Sequence, residues 1–205
     1  MALTIKPADI IKAKVIDFLI ENFEGVVIGD EIMYGSSHKI VDLLALHAGE
    51  TYAIEIKSSQ DDLRRLPEQL TEYSKLFDHT LVFTTTDHYE NILKVINGKV
   101  SVFVVGSVGQ IEGQLKEHRN NVVKGEMLAT MSAVYIRKRL NITNAKDSDD
   151  VRKRAMKHKK EVIHSVLYEY FMEKLSEPFA LFISERGDVT EVDDIILLTN
   201  RMSIG

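Results

Sequence analysis

The chain has 205 residues, of which 44% are apolar and 28% charged, and its net charge is −5. These values are typical of a soluble globular protein, and they exclude a protein that coats nucleic acid through its overall charge. The sequence contains no run of 18 apolar residues and no cysteine, which excludes a membrane span, disulfides and cysteine-bound zinc. We therefore expect a cytoplasmic protein with no membrane partner.

The charges are unevenly distributed along the chain. Residues 1–118 hold 11 Lys and Arg against 18 Asp and Glu, whereas residues 119–205 hold 15 against 13. An acidic N-terminal part is what a cation-binding site would produce. The basic excess lies mainly in RKRAMKHKK, at residues 152–160.

The first half of the chain predicts strands that alternate with helices. Apolar residues recur at helical spacing over 7–24, with Pro7 at the start and Gly25 at the end. Three strands follow, VVIGDEIMYG, HKIVDLLAL and TYAIEIKSS, of which the last two form a hairpin around Gly49. A helix beginning near Pro67, the strand HTLVFTTT, the helix DHYENILKVING and the strand VSVFVVGS complete this part. The order predicts an α/β fold with a helix-covered sheet.

The second half predicts helices. Residues 122–140 and 148–185 have helical patterns and are separated by the polar stretch NITNAKDSDD. The tail, EVDDIILLTNRMSIG, is consistent with either a last strand or a disordered end. We therefore predict an α/β core over residues 1–115 and a helical appendage over residues 116–205.

Charged residues occur inside the apolar hairpin strands. Side chains alternate across a strand, so Glu55 and Lys57 share one face, and the hairpin turn brings Asp42 opposite Glu55 or Ile56. Buried charges persist when they are paired or bind a metal. Asp42, Glu55 and the carbonyl oxygen of Ile56 are the oxygen ligands that Mg²⁺ prefers, and Lys57 can orient or help deprotonate water. The simpler interpretation is that strands often end in charged surface residues.

These residues resemble the PD-(D/E)xK nuclease superfamily. The matching pattern is Asp42, twelve intervening residues and then Glu55-Ile56-Lys57, with Val41 where the superfamily usually has proline. The predicted order also matches its restriction-endonuclease-like αβββαβ core with a mixed sheet. EIKSSQDDLRRLPEQLTEYSKLFDHTLVF resembles the most distinctive block of the sce7726 family, and this likeness covers about residues 8–115.

The resemblance implies a role for each matching residue. Asp42 and Glu55 would bind the metal, Mg²⁺ or Mn²⁺ as its substitute, and Lys57 would be the catalytic lysine. Glu31, on the preceding strand, matches an additional acidic position that binds a second metal or positions water. A surface acid is the alternative for Glu31.

Further candidates lie on the helix after the hairpin. Gln69 and Tyr73 are four residues apart and hence on one helix face. The resemblance implies that both face the metal site. Gln69 would be a catalytic residue that holds Lys57 or a phosphate, and Tyr73 would contact the nucleic acid; core packing is the alternative for Tyr73. Arg64 and Arg65 would bind a phosphodiester or form a solvated helix start. Ser58 would touch phosphate or cap the turn.

The basic segment RKRAMKHKK offers a second contact surface for nucleic acid. Through residues such as Lys153 and Lys157 it would neutralise phosphates, and binding would then depend on salt. A solvated basic helix is the alternative.

Together these patterns predict a Mg²⁺-dependent nuclease that acts on DNA as an endonuclease, and the resemblance implies a bacterial or phage origin. The alternative from another class is a nuclease fold without turnover that binds DNA or a protein. RNA is an open third substrate. The helical appendage would serve as a homodimer surface, a DNA clamp or a dock for a protein partner.

Overall fold

A computed structural model describes residues 6–199 of the chain. Its strands are β1 (Val27–Tyr34), β2 (Lys39–His47), β3 (Glu50–Lys57), β4 (His79–Thr84), β5 (Ser101–Val105) and β6 (Ile111–Gly113). Its α-helices are α1 (Pro7–Asn22), α2 (Leu66–Leu76), α3 (Thr86–Val95), α4 (Lys124–Thr130), α5 (Ala133–Arg139), α6 (Ser148–Ala155) and α7 (Lys160–Glu185). The 3₁₀ helices are Leu63–Arg65 and Val192–Leu198.

The six strands form one mixed sheet in chain order. The pairs β1–β2 and β2–β3 are antiparallel, and the pairs β3–β4 and β4–β5 are parallel. Strand β6 pairs antiparallel with β5 at the edge of the sheet. α2 and α3 provide the two crossovers that parallel strands require. The predicted α/β class and its αβββαβ order are confirmed, while the short strand β6 was not predicted.

The turn between β2 and β3 fixes which residues lie side by side. Ala48 and Gly49 both have positive φ, 50° and 82°, as a tight hairpin turn demands of its two central residues. The paired residues then run from His47 and Glu50 to Leu43 and Ile54. Continuing this register by one residue places Asp42 opposite Glu55.

Apolar side chains cover both faces of the sheet. One cluster joins the sheet to α2 and the C-terminal helices, and it includes Leu44, Tyr73 and Phe171. The other joins the sheet to α1 and includes Ile54 and Phe83. The predicted core and appendage therefore share a hydrophobic interior. No helix within residues 6–199 has both the length and the apolar character needed to cross a bilayer.

Helix α7 reaches both of these clusters. Its 26 residues give a length of about 39 Å, with Phe171 and Leu175 in the first cluster and Phe182 in the second. The helix passes close to β1 at Gly29, where an added Cβ would lie 2.7 Å from Leu175 Cδ2 and 2.9 Å from Ile32 Cδ1. Glycine at this position therefore permits the close approach of α7 to the sheet.

Replacing Gly29 with alanine is expected to lower the free energy of unfolding by about 1–3 kcal/mol, because it overpacks a core without free space. Leu175 is only 1% exposed, so it has little room to move away. Urea unfolding measures the effect, and Gly98→Ala, where nothing lies within 4 Å of the added Cβ, is the matched control. Equal stability of Gly29→Ala and the parent chain would contradict the close packing.

The C-terminal helices differ from the prediction in two places. Residues 122–140 form two helices because Ser132 caps α5, accepting a hydrogen bond from the backbone of Tyr135 at 3.2 Å. Residues 148–185 also divide, and the turn after α6 is held by Lys124, whose Nζ lies 2.6 Å from the carbonyl oxygen of Met156. RKRAMKHKK is therefore two helix ends joined by a turn rather than one helix.

The tail is neither a last strand nor disordered over its described part. Residues 192–198 form a 3₁₀ helix, and Thr199 makes a single parallel bridge to Asp30. Residues 200–205, which belong to the same predicted tail, lie outside the described residues.

Candidate functional site

The charged residues of the hairpin meet at the C-terminal end of β3, on the sheet face that α2 covers. Lys57 Nζ lies 2.6 Å from Glu55 Oε1. Glu55 is 1% exposed and Lys57 9% exposed, so this ion pair is buried. Strand β4 holds this end of β3 in place. Thr84 Oγ1 of β4 donates a hydrogen bond to the carbonyl oxygen of Lys57 at 3.0 Å.

Two side chains of α2 complete the surroundings of Glu55. Gln69 Nε2 donates to Glu55 Oε1 at 2.6 Å, and the hydroxyl group of Tyr73 donates to Glu55 Oε2. Burial and the negative charge of Glu55 raise the pKa of Tyr73 well above its ordinary value, so its hydroxyl remains a donor. Three donors from three residues thus satisfy one buried carboxylate, as buried charge requires.

Asp42 is the second carboxylate of the site. It is half-buried, and its Oδ2 accepts a hydrogen bond from the backbone N–H of Ile56 at 2.8 Å. Burial, and then repulsion by Glu55, raise the pKa of Asp42 to about 7; the hydrogen bond from Ile56 and the charges of Lys12 and Lys57 oppose this shift. The protein therefore holds Asp42 where a second negative charge beside Glu55 is unfavourable.

Replacing Asp42 with asparagine is expected to stabilise the protein at pH 8 in EDTA. The unfolded carboxyl group loses its proton near pH 3.8 and the folded one near pH 7, so the native state of the parent chain loses stability as the pH rises between these values. Asparagine removes this loss, so the free energy of unfolding at pH 8 rises by an amount on the order of 1–4 kcal/mol. Urea unfolding at pH 4 and pH 8 tests it. A variant less stable than the parent at pH 8 would contradict the raised pKa.

Gln69 has an unused acceptor in the site. Its Oε1 is buried and has no hydrogen-bond partner among residues 6–199. A buried amide oxygen without a partner is unfavourable by about 1–3 kcal/mol, so this atom fits a bound water or a ligand N–H or O–H. Sequence spacing predicted that Gln69 and Tyr73 share a face, and both contact Glu55.

Glu31 lies on β1 between residues that pair with both neighbours of Asp42. Its φ of 50° interrupts the alternation of the strand, and its side chain is exposed. Among residues 6–199 no three His, Cys, Asp or Glu side chains form a ready metal-binding group. Glu31 is therefore not joined to Asp42 and Glu55 in a three-carboxylate cluster.

The residues after β3 divide into buried and exposed ones. Ser58 is buried, and its N–H and hydroxyl group donate to Asp61 Oδ2 at 2.7 and 2.6 Å. Ser58 therefore caps the turn, which was the alternative to a phosphate contact. Arg64 and Arg65 are exposed in the 3₁₀ helix before α2. Arg64 pairs with Asp62 at 2.5 Å, and both side chains of this ion pair are exposed.

The two basic candidates of the appendage, Lys153 and Lys157, are also exposed. Lys153 lies on α6, and Lys157 lies in the turn that follows it. Within the described part of the chain, neither forms a hydrogen bond or ion pair with Glu55, Lys57, Gln69 or Tyr73. Other basic residues of the segment serve the fold, since Arg154 pairs with Asp150 at 2.9 Å and Lys160 donates to Asn121 at 2.7 Å.

Sequence reasoning missed a buried ion pair on the opposite face. Lys12 Nζ of α1 lies 2.6 Å from Asp30 Oδ1 of β1, and Thr199 donates to the other oxygen of Asp30. Burial lowers the pKa of Lys12, but the negative charges of Asp30, Asp42 and Glu31 raise it by more. Lys12 is therefore protonated, and its positive charge acts on Asp42. The signal was available: Lys12 lies on the buried stripe of α1, one turn before Ile16.

A second polar network lies at the opposite end of β3. Asp78, which is fully buried, accepts from the N–H of Thr51 at 2.9 Å and from Arg119 Nε at 2.9 Å. His164 Nε2 of α7 lies 2.8 Å from Asp78 Oδ2. Burial by itself raises the pKa of Asp78. The hydrogen bonds from His164, Thr51 and Arg119 lower it by more, so the net pKa is about 2. This network ties α7 to the sheet.

Fold and site together define an α/β protein with a mixed six-stranded sheet and a buried carboxylate–lysine cluster at the end of β3. A family model described as Bacteriophage P4 protein cII matches residues 1–198. The chain therefore belongs to the bacteriophage P4 protein cII family. No curated protein matches it.

A solved structure is also similar, the SPO1766 protein of unknown function from Silicibacter pomeroyi. It shares 17% sequence identity, with a TM-score of 0.48 over 68% of this chain and 92% of that one.

Proposed function

We propose that this protein is a metal-dependent nuclease whose active site is formed by Asp42, Glu55 and Lys57. The observation that carries the proposal is the pair of neighbouring carboxylates, one of them buried, with a buried lysine 2.6 Å from Glu55. The resemblance of the same residues to the PD-(D/E)xK pattern supports it. Membership of a phage protein family agrees with a role in bacterial or phage DNA metabolism.

The donor set fits Mg²⁺. Asp42, Glu55 and the carbonyl oxygen of Ile56 are hard oxygen ligands, and a Mg²⁺ ion keeps several waters when the protein supplies few ligands. The raised pKa of Asp42 and the unpartnered Oε1 of Gln69 both fit a hydrated cation, which neutralises the carboxylates and brings water donors. When bound, the metal supplies Lewis-acid activation of water and of the phosphate.

The protein's own residues then have distinct roles. Lys57 would hold the attacking water by a hydrogen bond and stabilise negative charge on the phosphate. Gln69 and Tyr73 fix the orientation of Glu55 through its two oxygens, as positioning residues. Arg64 and Arg65, exposed on the segment that leads from β3 to α2, would bind the phosphates that flank the scissile bond.

Cleavage of end-labelled single-stranded DNA, double-stranded DNA and matching RNA tests the proposal. We expect cutting with Mg²⁺ or Mn²⁺ and none in EDTA, with DNA cut faster than RNA. A folded protein that cuts none of the three substrates with either metal would contradict the proposal.

A catalytically silent binding protein is the second candidate. The specific observation in its favour is that Lys57 and Glu55 already neutralise each other without a metal. Such a protein would bind DNA equally well in Mg²⁺ and in EDTA, with an affinity that falls as salt rises. A protein that binds another protein rather than DNA would show no such dependence of DNA affinity on salt concentration.

A further inference from the structure

A solvent-exposed ion pair lies beside the candidate site and joins β2 to α2. Lys39 Nζ lies 2.6 Å from Glu68 Oε1, and the two side chains are 31% and 71% exposed. Lys39 comes three residues before Asp42 on β2, a separation of about 10 Å along the strand. Glu68 directly precedes Gln69, whose Nε2 donates to Glu55 at 2.6 Å. The pair therefore bridges the two elements that carry Asp42 and Gln69, on the side open to solvent.

The strand register places Lys39 on the same face of the sheet as Glu55. Lys39 pairs with Tyr34 across β1 and β2, and directly paired residues point to one face. The ring of Tyr34 packs 5.7 Å from the ring of Tyr73 on α2, and the hydroxyl group of Tyr73 donates to Glu55. Lys39 therefore lies on the face that the carboxylate pair and α2 share.

The carboxylate of Glu68 interacts with cations from two segments of the chain. The hydrogen bond and charge of Lys39 lower the pKa of Glu68, and the charge of Arg65 lowers it further, so Glu68 is ionised. Arg65 belongs to the segment that leads from β3 to α2, whereas Lys39 belongs to β2. Glu68 thus holds Lys39 as a phosphate oxygen would, since both are anionic oxygens that accept from an ammonium group.

The exposure of this ion pair makes it replaceable. An exposed ion pair contributes little to the stability of a protein, because water and salt screen it. Its partners can therefore exchange for other charged groups with little loss. A DNA phosphate is also an anionic acceptor and, unlike Glu68, it releases condensed counterions when a lysine neutralises it. Contact of Lys39 with DNA is therefore favoured over the internal pair at low salt.

We propose that Lys39 binds a backbone phosphate of DNA, and that Glu68 competes with this phosphate for Lys39 in the free protein. Lys39 would hold the strand on the β2 side of the site, while Arg64 and Arg65 hold it on the side of α2. The inference rests on the proposed function, because the DNA that Lys39 binds is the DNA that the carboxylate pair would cleave.

Fluorescence anisotropy with a labelled DNA duplex in EDTA tests the proposal, because binding is then measured without cleavage. We expect Lys39→Gln to bind about 3–10-fold more weakly than the parent, and Glu68→Gln about 2–5-fold more tightly. Between about 50 and 200 mM salt, the slope of log affinity against log salt should be shallower by about 0.9 in Lys39→Gln, the value for one phosphate contact. Lys99→Gln and Glu24→Gln, exposed at the opposite end of the sheet, are the charge-matched controls and should bind like the parent.

The opposite signs of the two effects separate competition from a structural role. Loss of a purely structural ion pair would change DNA binding in the same direction in both variants or in neither. The proposal is overturned if Lys39→Gln binds like the parent, if Glu68→Gln does not bind more tightly, or if the parent does not bind DNA.

Cleavage of the same duplex with Mg²⁺ distinguishes this failure from that of the proposed function. If the parent cleaves and both variants bind like it, the protein is a nuclease and Lys39 does not contact the phosphate. If the affinities follow the expected order and none of the proteins cleaves, Lys39 contacts the phosphate and the protein is not a nuclease.

Discussion

Replacing Lys57 with methionine is expected to slow Mg²⁺-dependent DNA cleavage by about 10²–10⁴-fold, the range for loss of a positioned proton-transfer group. Lys57 is the cation at the carboxylate pair whose ammonium group directly contacts a carboxylate oxygen, at 2.6 Å. Methionine keeps the unbranched apolar stem of the buried lysine. The loss should therefore reflect the missing ammonium group rather than a cavity.

The variant should remain folded because Glu55 keeps its hydrogen bonds from Gln69 and Tyr73. Single-turnover cleavage of a labelled duplex measures the effect, with circular dichroism and Mg²⁺ titration to verify folding and metal binding. Lys99→Met, an exposed lysine at the other end of the sheet, is the matched control and should cleave like the parent. If folded Lys57→Met cleaves within twofold of the parent, Lys57 is not catalytic.

Replacing Asp78 with alanine is expected to lower the free energy of unfolding by about 3–5 kcal/mol, as loss of one partner from a buried ion pair does. Asp78 is fully buried and binds Thr51, Arg119 and His164, which belong to three separate parts of the chain. Its loss leaves the N–H of Thr51 and the cationic Arg119 without their main acceptor. The junction of α7 with the sheet is weakened as a result.

The same residue sets an acid limit on stability. Because the pKa of Asp78 is lowered to about 2 from 3.8, its contribution is complete above pH 4 and is lost as the pH falls towards 2. Urea unfolding between pH 2.5 and 7 should show a smaller acid loss in Asp78→Ala than in the parent. Asp188→Ala, at an exposed carboxylate, should change stability by no more than about 0.5 kcal/mol. Equal stability of Asp78→Ala and the parent at pH 7 would contradict the role of this network.

The strands and the site were predictable from local pattern. Period-two alternation placed Glu55 and Lys57 on one face, and the short turn at Ala48 and Gly49 fixed the register that brings Asp42 beside them. Helical spacing likewise placed Gln69 and Tyr73 together. These inferences succeed because each depends on residues close in sequence, or on one hairpin.

The features that were missed depend on contacts between distant residues. The break between α6 and α7 is held by Lys124, 32 residues before Met156, and no local signal marks it. Asp78 and His164 are 86 residues apart, and neither stands in a recognisable motif. Tyr34 and Lys138 line one cavity only because the end of β1 meets α5, α6 and α7, and no sequence pattern indicates that contact.

The central claim is that Asp42 and Glu55 hold the divalent cation on which cleavage depends. Isothermal titration of Mg²⁺ into the parent, Asp42→Asn and Glu55→Gln at pH 8 tests it most directly. We expect binding to the parent that becomes weaker as the pH falls below 7, where Asp42 is protonated, and at least a tenfold loss of affinity in both variants. Equal Mg²⁺ affinity in all three folded proteins would contradict the claim.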